Sequence, residues 1–188
     1  MNKTLTFFLV FFFIGCSDTK NKNNDTKWNI LRITDKNCEV SFPYKTFKTH
    51  KEEYYVKNVG KVISYEIDLN SQKLTDKNLG YKLSIYDYPE FNFYDNPETI
   101  NLFLNGTAEN LLLALNASRI WERNIEFNGY SGKELYYYMA SQEVYFTTRM
   151  YIINGRQYGL TVITDKNNLI NKSITKFFNS FKLINTKS

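Results

Sequence analysis

The sequence predicts an α+β domain in which an antiparallel sheet is layered with helices. In most segments after residue 38, apolar and polar side chains alternate, which is typical of strands with one buried face. In two other segments apolar side chains recur with a period of about 3.6 residues, which indicates helices. Two Asn-Gly pairs, Asn128-Gly129 and Asn154-Gly155, separate strand-like segments and favour tight hairpins. Hairpins and helices in this order are the pattern of an α+β layered domain.

Seven segments are predicted to be strands. Three precede the first helical segment, at residues 38–43, 62–69 and 80–89, and the first of them ends at Pro43. Four follow it, at residues 119–127, 132–140, 144–153 and 157–164. Asn154-Gly155 connects the last two, because both residues tolerate the positive φ that a type I′ turn demands. The four later segments are therefore predicted to form a meander.

Two segments are predicted to be helices. The first begins at Asn96, a capping residue, with Pro97 at the first helical position and Glu98 in the first turn. Its apolar residues at helical spacing are Ile100, Phe103, Leu104, Ala108, Leu111, Leu112 and Leu115. Asn105-Gly106 predicts a kink or a break into two helices. The apolar face of the second helix consists of Ile170, Ile174, Phe177, Phe178 and Phe181, and this helix runs out within residues 180–183.

The first sixteen residues have the pattern of an export signal that ends in a cysteine. Lys3 is followed by an apolar run over residues 5–14, by Gly15 and then by Cys16. The run is shorter than the ~20 residues of a membrane-spanning helix. Residues 13–16 resemble a bacterial lipoprotein box, which implies cleavage before Cys16 and a diacylglyceryl, palmitate-bearing cysteine. A secreted protein cleaved elsewhere and an uncleaved anchor helix are the open alternatives.

The chain is predicted to divide into a signal peptide (1–15), a lipidated cysteine with a flexible tether (16–27) and a single domain (28–188). The eleven residues from 17 to 27 include no apolar residue, and as a flexible coil they span on the order of 17 to 20 Å. We expect the membrane to hold the protein through Cys16 on the periplasmic or surface face of a bacterial cell envelope. Cys38 then lacks an intramolecular partner, and its place among alternating apolar residues predicts a buried side chain.

Composition argues against several classes of function. The net charge is +5, or +4 once the single charge of Lys3 leaves with the signal, and the lysines are scattered, so no nucleic-acid partner is expected. His50 is the only histidine, which limits any histidine triad or multi-histidine metal site to that residue, and we expect it on the surface. Phosphate-binding loops, dinucleotide fingerprints and nucleophile elbows are absent from the sequence. The sequence therefore predicts no enzyme activity, metal or cofactor.

The stretch from residue 86 to residue 97 is the candidate binding site. Its aromatic residues are Tyr86, Tyr88, Phe91, Phe93 and Tyr94, which alternate with acids and amides between a strand and a helix. Flat rings with polar neighbours are enriched on recognition surfaces and suit a sugar or a peptide. The alternative is packing, in which Tyr86 and Tyr88 finish a strand while Phe91 and Phe93 plug the edge of the sheet.

Four short segments occur in a characteristic order: residues 40–43 (VSFP), 128–134 (NGYSGKE), 149–158 (RMYIINGRQY) and 176–183 (KFFNSFKL). In this order they resemble the PsbP-like superfamily, and in particular its exported bacterial lipoproteins. The resemblance implies an α/β/α sandwich and a binding or assembly role more often than catalysis. We therefore expect a noncatalytic envelope lipoprotein with a protein or glycan partner. A glycan- or peptide-binding carrier, or a hydrolase with an unrecognised site, is the alternative.

Overall fold

The computed structural model describes residues 28–43, 48–70, 77–93 and 96–184. The predicted signal, Cys16, the predicted tether and Tyr94 lie outside these ranges. Within them, neither α-helix combines the length and apolarity needed to cross a bilayer.

Seven strands of the described chain form one antiparallel sheet, in the order β3-β4-β5-β9-β8-β7-β6. Its strands are β3 (Lys48–Val56), β4 (Gly60–Asn70), β5 (Gly80–Asp87), β6 (Ser118–Phe127), β7 (Tyr130–Met139), β8 (Val144–Ile153) and β9 (Arg156–Thr164). The last four are the predicted meander. A smaller sheet in the order β1-β2-β10 consists of β1 (Asn29–Ile33), β2 (Cys38–Phe42) and β10 (Lys182–Leu183).

Both predicted Asn-Gly turns are confirmed. Asn154 and Gly155 have φ values of 51° and 75°, and Asn128 and Gly129 have 50° and 84°. These positive values are the ones that a two-residue hairpin of the I′ type requires, and asparagine and glycine reach them at low steric cost.

The helix α1 (Pro97–Leu115) begins as predicted, because the Asn96 side chain accepts hydrogen bonds from the backbone N–H groups of Glu98 at 2.8 Å and Thr99 at 3.4 Å. The predicted kink or break at Asn105-Gly106 is wrong. Both residues lie on the exposed side of one continuous helix, and Leu104 and Ala108 are buried on either side of them. Packing of the buried face outweighs the low helix propensity of a single glycine.

The helix α2 (Lys172–Asn179) is shorter than predicted. Asn171 caps it by accepting from the N–H groups of Ser173 and Ile174, so Ile170 lies before the helix and is 97% exposed. Phe181 is buried, but it follows the helix and leads into β10. The last predicted turn of the helix is thus a short strand paired with β2.

The strands β1 and β3 have no counterpart in the sequence prediction. The side chains of β3 are mostly polar and exposed because this strand is an edge of the large sheet, so the alternation that marks a buried strand is absent. His50 lies on β3 and is exposed.

The two faces of the large sheet have different cover. Helix α1 packs on one face, above β7 and β8, and the core there includes Leu104, Leu112, Leu135 and Tyr137. Helix α2 and the small sheet cover the other face, with Phe177 at the centre of a second core. We call these the α1 face and the α2 face. The arrangement is the α+β layering that the sequence predicts.

The large sheet also has two distinct ends. At one end lie the start of β5 at Gly80, the end of β9 at Thr164 and the start of β6 at Ser118. Trp28 lies there too, with its ring 5.9 Å from that of Tyr81, so we call it the Trp28 end. The loop end is opposite, where β5 finishes at Asp87 and the two Asn-Gly turns lie.

Candidate functional site

The predicted aromatic residues lie around the exit of β5 at the loop end. Tyr86 is inside the strand, Tyr88 follows it directly, and Phe91 and Phe93 belong to the connection that leads into α1. The structure brings four of the five predicted residues into one neighbourhood. It gives them different environments, and Tyr94 falls outside the described residues.

Phe93 is part of the core beneath α1. Its side chain is 3% exposed, and its ring centroid lies 4.8 Å from that of Phe91 and 4.9 Å from that of Phe103 in α1. Such edge-on contacts inside a closed cluster stabilise packing and leave no ring face for a partner. Phe93 therefore has the environment of the packing alternative.

Tyr88 and Phe91 are half-buried at the border of this cluster. The Tyr88 ring lies 5.1 Å from Phe103, and its hydroxyl donates a hydrogen bond to Oε1 of Gln157 at 2.7 Å. Burial raises the pKa of Tyr88 well above its ordinary value, so the hydroxyl stays protonated as a donor. Phe91 packs on Phe93 and Phe103 but keeps part of its ring accessible.

Tyr86 belongs to a polar network on the α1 face. Its hydroxyl donates to Oε1 of Glu66 at 2.9 Å, and Nζ of Lys82 donates to the other oxygen of Glu66 at 2.7 Å. Burial, and next the negative charge of Glu66, raise the pKa of Tyr86 well above its usual range. The network holds a neutral phenol and a paired carboxylate, an arrangement that positions side chains but does not activate a nucleophile.

Asp87 points to the opposite face and anchors the segment before β2. Its carboxylate accepts from Nζ of Lys36 at 2.7 Å and from Nε of Arg156. Burial by itself would raise the pKa of Asp87, but the hydrogen bonds and charges of Lys36 and Arg156 outweigh it, and the pKa lies below its ordinary value. The hydroxyl of Tyr158 donates to the carbonyl oxygen of Lys36 at 2.7 Å, which fixes the same segment.

The side chain of Glu90 ties the connection after β5 to the turn between β3 and β4. Oε2 of Glu90 accepts from the backbone N–H of Lys61 at 3.1 Å. Gly60 has a φ of 90°, and a Cβ on it would lie 2.8 Å from Cβ of Glu90, so only glycine fits there without a shift. We call the connection between β5 and α1 the aromatic loop. Glu90 fixes the start of this loop on its exposed side, and Phe93 packs it against the core.

The loop site consists of the accessible parts of Tyr86, Tyr88 and Phe91 together with Lys82 on the same face. It offers aromatic edges and the partly exposed Lys82–Glu66 ion pair, while both tyrosine hydroxyls are already hydrogen-bonded within the domain. Such a surface can contact a peptide or a sugar. In the part of the chain that the structure describes, no three His, Cys, Asp or Glu residues are grouped to hold a metal ion.

Sequence reasoning missed the polar partners of the loop. Glu66, Arg156 and Gln157 come from β4 and β9, and the register of the sheet brings them beside β5, which itself carries Lys82. Lys36 comes from the turn between β1 and β2 and reaches the exit of β5 through its contact with Asp87. Residues opposite one another share a face, as Tyr86 and Gln157 do, but that pairing cannot be read from one segment alone.

A second aromatic group was also missed, on the α2 face at the Trp28 end. Its ring centroids are 5.7 Å apart for Trp121 and Tyr136, 5.9 Å for Tyr136 and Tyr145, and 4.7 Å for Tyr138 and Tyr145. These residues come from three neighbouring strands. The sequence did contain one signal for this group: Tyr136 and Tyr138 are two residues apart, which places both rings on one face of β7.

Comparison with known proteins identifies the fold and nothing finer. No family model matches the chain, and no curated protein matches it. Among solved structures, cyanobacterial PsbP (CyanoP) from Synechocystis sp. PCC 6803 is similar with a TM-score of 0.54 and 12% identity, over 88% of this chain and 98% of that chain. A protein of unknown function from Pseudomonas aeruginosa, PA94, has a TM-score of only 0.38 and 11% identity over 76% of this chain and 85% of its own, too distant to argue from. The chain has the PsbP-like fold.

Proposed function

We propose that this chain is a noncatalytic, membrane-anchored lipoprotein of the bacterial cell envelope that binds a protein or glycan partner at its loop end. The observation that carries the proposal is the opposite placement of Trp28 and the loop site. Trp28, the first described residue, packs on Tyr81, whereas the aromatic loop leaves β5 after Asp87. Six residues of strand separate these points by about 20 Å, so a lipid anchor attached before Trp28 leaves the loop end directed away from the membrane.

The charge pairing of the domain supports a binding role over catalysis. Glu134 pairs with two arginines, Asp87 with Lys36 and Arg156, and Glu66 with Lys82. A general base needs a carboxylate or imidazole that is free to take a proton from a substrate. These buried and half-buried carboxylates instead connect neighbouring strands.

The anchor is tested with Cys16→Ser in the native host. We expect the wild-type chain in the membrane fraction with the mass of a diacylglyceryl group, and the variant as unlipidated precursor or soluble protein. Unchanged fractionation and unchanged mass in the variant would overturn the lipoprotein proposal.

The partner site is tested with a photo-crosslinking amino acid at Pro89, which is exposed beside Tyr88. The matched control carries the same group at Asn167, exposed near the Trp28 end. We expect a defined protein or glycan adduct in native membranes from position 89 only, and loss of that adduct when Phe91→Ala is added to a chain that still melts cooperatively; adducts with phospholipid are not counted. Equal adducts from both positions, or none from position 89, would contradict a partner site at the loop end.

A further inference from the structure

The large apolar side chains exposed on the domain are concentrated at the Trp28 end. The described residues include seven such side chains, and five lie at this end: Ile30, Leu113, Ile120, Trp121 and Ile170. The other two, Tyr55 and Leu102, lie near the turn after β3 and in the first half of α1. Single exposed apolar residues are ordinary on soluble proteins, but a concentration at one end marks an interaction surface.

Connectivity places three of these residues at the same end of the domain. Leu113 is in the last turn of α1, which leads directly into β6, and Ile120 and Trp121 lie at the irregular start of β6, where the register with β7 shifts. The exposed fractions are 76% for Leu113, 48% for Ile120 and 41% for Trp121.

Ile170 reaches the same end through a chain of hydrogen bonds. The neighbouring Asn171 donates from Nδ2 to Oδ1 of Asn78 at 2.8 Å, and Nδ2 of Asn78 donates to the hydroxyl of Tyr81 at 2.6 Å. Tyr81 is the residue on which Trp28 packs. Tyr81 and Trp121 lie in one row across the α2 face, four strand spacings or about 19 Å apart.

We propose that Leu113, Ile120, Trp121 and Ile170 form a rim that rests on the phospholipid surface and inserts into its headgroup region. This inference deepens the proposed function and depends on it, since it requires the lipid anchor. Eleven residues separate Cys16 from Trp28, which even fully extended cover at most about 40 Å. The tether therefore joins the domain at the end that carries the rim and keeps that end within about 40 Å of the bilayer.

The chemistry of the rim matches a membrane interface. Trp121 continues into the group of Tyr136, Tyr138 and Tyr145, and tryptophan and tyrosine favour the headgroup level, where one part of the ring is apolar and the other is wet. The guanidinium of Arg123 lies 5.5 Å from the Trp121 ring, and Nζ of Lys176 lies 4.8 Å from the Trp28 ring. Lys176 suits an anionic phospholipid headgroup, whereas Arg123 is largely exposed but already pairs with Glu134.

The test uses tryptophan fluorescence of the full lipidated protein, because the chain has only two tryptophans. Trp28→Phe leaves Trp121 as the single reporter. The protein is reconstituted in vesicles of phosphatidylcholine and phosphatidylglycerol, with and without brominated acyl chains. We expect the Trp121 emission to be lower in brominated than in unbrominated vesicles, because an interfacial tryptophan ring reaches the upper part of the acyl chains.

Matched variants separate the rim from the anchor. In the Trp28→Phe chain, Leu113→Asn with Ile170→Asn should abolish most of the quenching while the acyl group keeps the protein on the vesicle. Leu102→Asn changes a leucine in the first half of α1 that is 65% exposed, against 76% for Leu113, and should leave the quenching unchanged. Circular dichroism on each variant checks that the fold is retained.

The outcomes distinguish this inference from the proposed function. Absence of an acyl group on Cys16 by mass spectrometry would remove both. An acylated protein whose Trp121 is not quenched would overturn the rim and leave the lipoprotein proposal intact. If the Trp121 emission changes with protein concentration but not with bromine, a second copy of the chain covers the rim, and the phospholipid proposal is wrong.

Discussion

Nε of Arg149 donates a hydrogen bond to Oε1 of Glu134 at 3.1 Å, between the neighbouring strands β8 and β7. Nε of Arg123 on β6 donates to the other carboxylate oxygen at 2.8 Å, so Glu134 is bound from both sides. The guanidinium of Arg149 also lies 4.6 Å from the ring of Phe178 in α2. Residues 128–134 and 149–158, two of the segments on which the resemblance depended, are thus joined by a structural ion pair.

Glu134→Ala is expected to destabilise the domain by about 2 to 4 kcal/mol. The Glu134 side chain is 5% exposed, and its removal leaves the partly buried Arg149 without a counter-charge. The loss stays below that of a fully buried pair because Arg123 is largely exposed and can be hydrated. Urea unfolding of the variant and of Glu126→Ala, an exposed acid on β6, measures the difference; equal midpoints would contradict the structural role.

Periodicity predicted most of the large sheet because its central strands are buried on at least one face. The prediction of residues 144–153 agrees with β8, whose side chains alternate between buried and half-buried over residues 144–149 and are all buried over residues 150–153. The same reasoning failed for β3, where exposure of both faces removes the alternation, and for β10, which is only two residues long and is paired by tertiary contact with Glu39 and Cys38. The alternation of apolar and polar residues in a segment indicates which side chains are buried. The edges of a sheet depend on neighbouring strands, which the sequence of the segment does not contain.

The Asp87 cluster is expected to make stability depend on acid pH. The pKa of Asp87 lies below its ordinary value of 3.8 in the folded chain, so its ionised form stabilises the fold above that value. This stabilisation is lost as pH falls through the ordinary pKa and then through the folded pKa. Asp87→Asn removes the contribution at every pH. The difference in free energy of unfolding between wild type and variant should therefore be largest near neutral pH and shrink below about pH 4. A difference that is constant with pH would contradict this role for the cluster.

Cys38 is expected to be unreactive until the domain unfolds. Its side chain is fully buried, and burial raises the pKa of the thiol to about 12, so the reactive thiolate does not form at neutral pH. The chain has two cysteines. Protein extracted from membranes should therefore show no reactive thiol when native and one when unfolded if the sulfur of Cys16 carries lipid. One native thiol and two after unfolding would mean that Cys16 is free, and native modification of Cys38 would contradict its burial.

The aromatic loop is expected to divide into a core part and a contact part. Phe93→Ala should cost ~3 to 5 kcal/mol because it empties the cluster around Phe103. Tyr88→Phe should cost about 1 kcal/mol, since it removes only the hydrogen bond to Gln157. Ile174→Ala is the control for a half-buried helix residue. Thermal or urea unfolding measures all three, and a Phe93→Ala loss no larger than that of Tyr88→Phe would contradict the packing of Phe93.

The sequence predicts that aromatic residues are concentrated in this loop, but it does not predict which of them are buried and which are accessible. Five aromatics between a strand and a helix predict either a contact surface or a plug, and composition does not separate them. Contacts with other elements decide which role each residue has. Phe103 in α1 packs against the ring of Phe93, and Gln157 in β9 accepts a hydrogen bond from Tyr88. Gln157 is 69 residues away from Tyr88, and Phe103, though close to Phe93 in the sequence, lies in a separate element whose packing the loop sequence alone does not specify.

Two glycines are expected to respond in opposite directions to alanine. A Cβ on Gly106 would meet no heavy atom within 4 Å, and alanine is the better helix former, so Gly106→Ala should stabilise the domain by about 0.5 to 1 kcal/mol. A Cβ on Gly132 would lie 2.6 Å from the carbonyl oxygen of Met150 and against the ring of Tyr151, so the pairing of β7 with β8 would have to shift. Gly132→Ala should therefore cost about 1 to 3 kcal/mol. Urea midpoints of the two variants give the signs directly. A destabilised Gly106→Ala would contradict the regular, open helix environment at this position, and a neutral Gly132→Ala would show that the strand pair accommodates a methyl group where Tyr151 now covers the backbone.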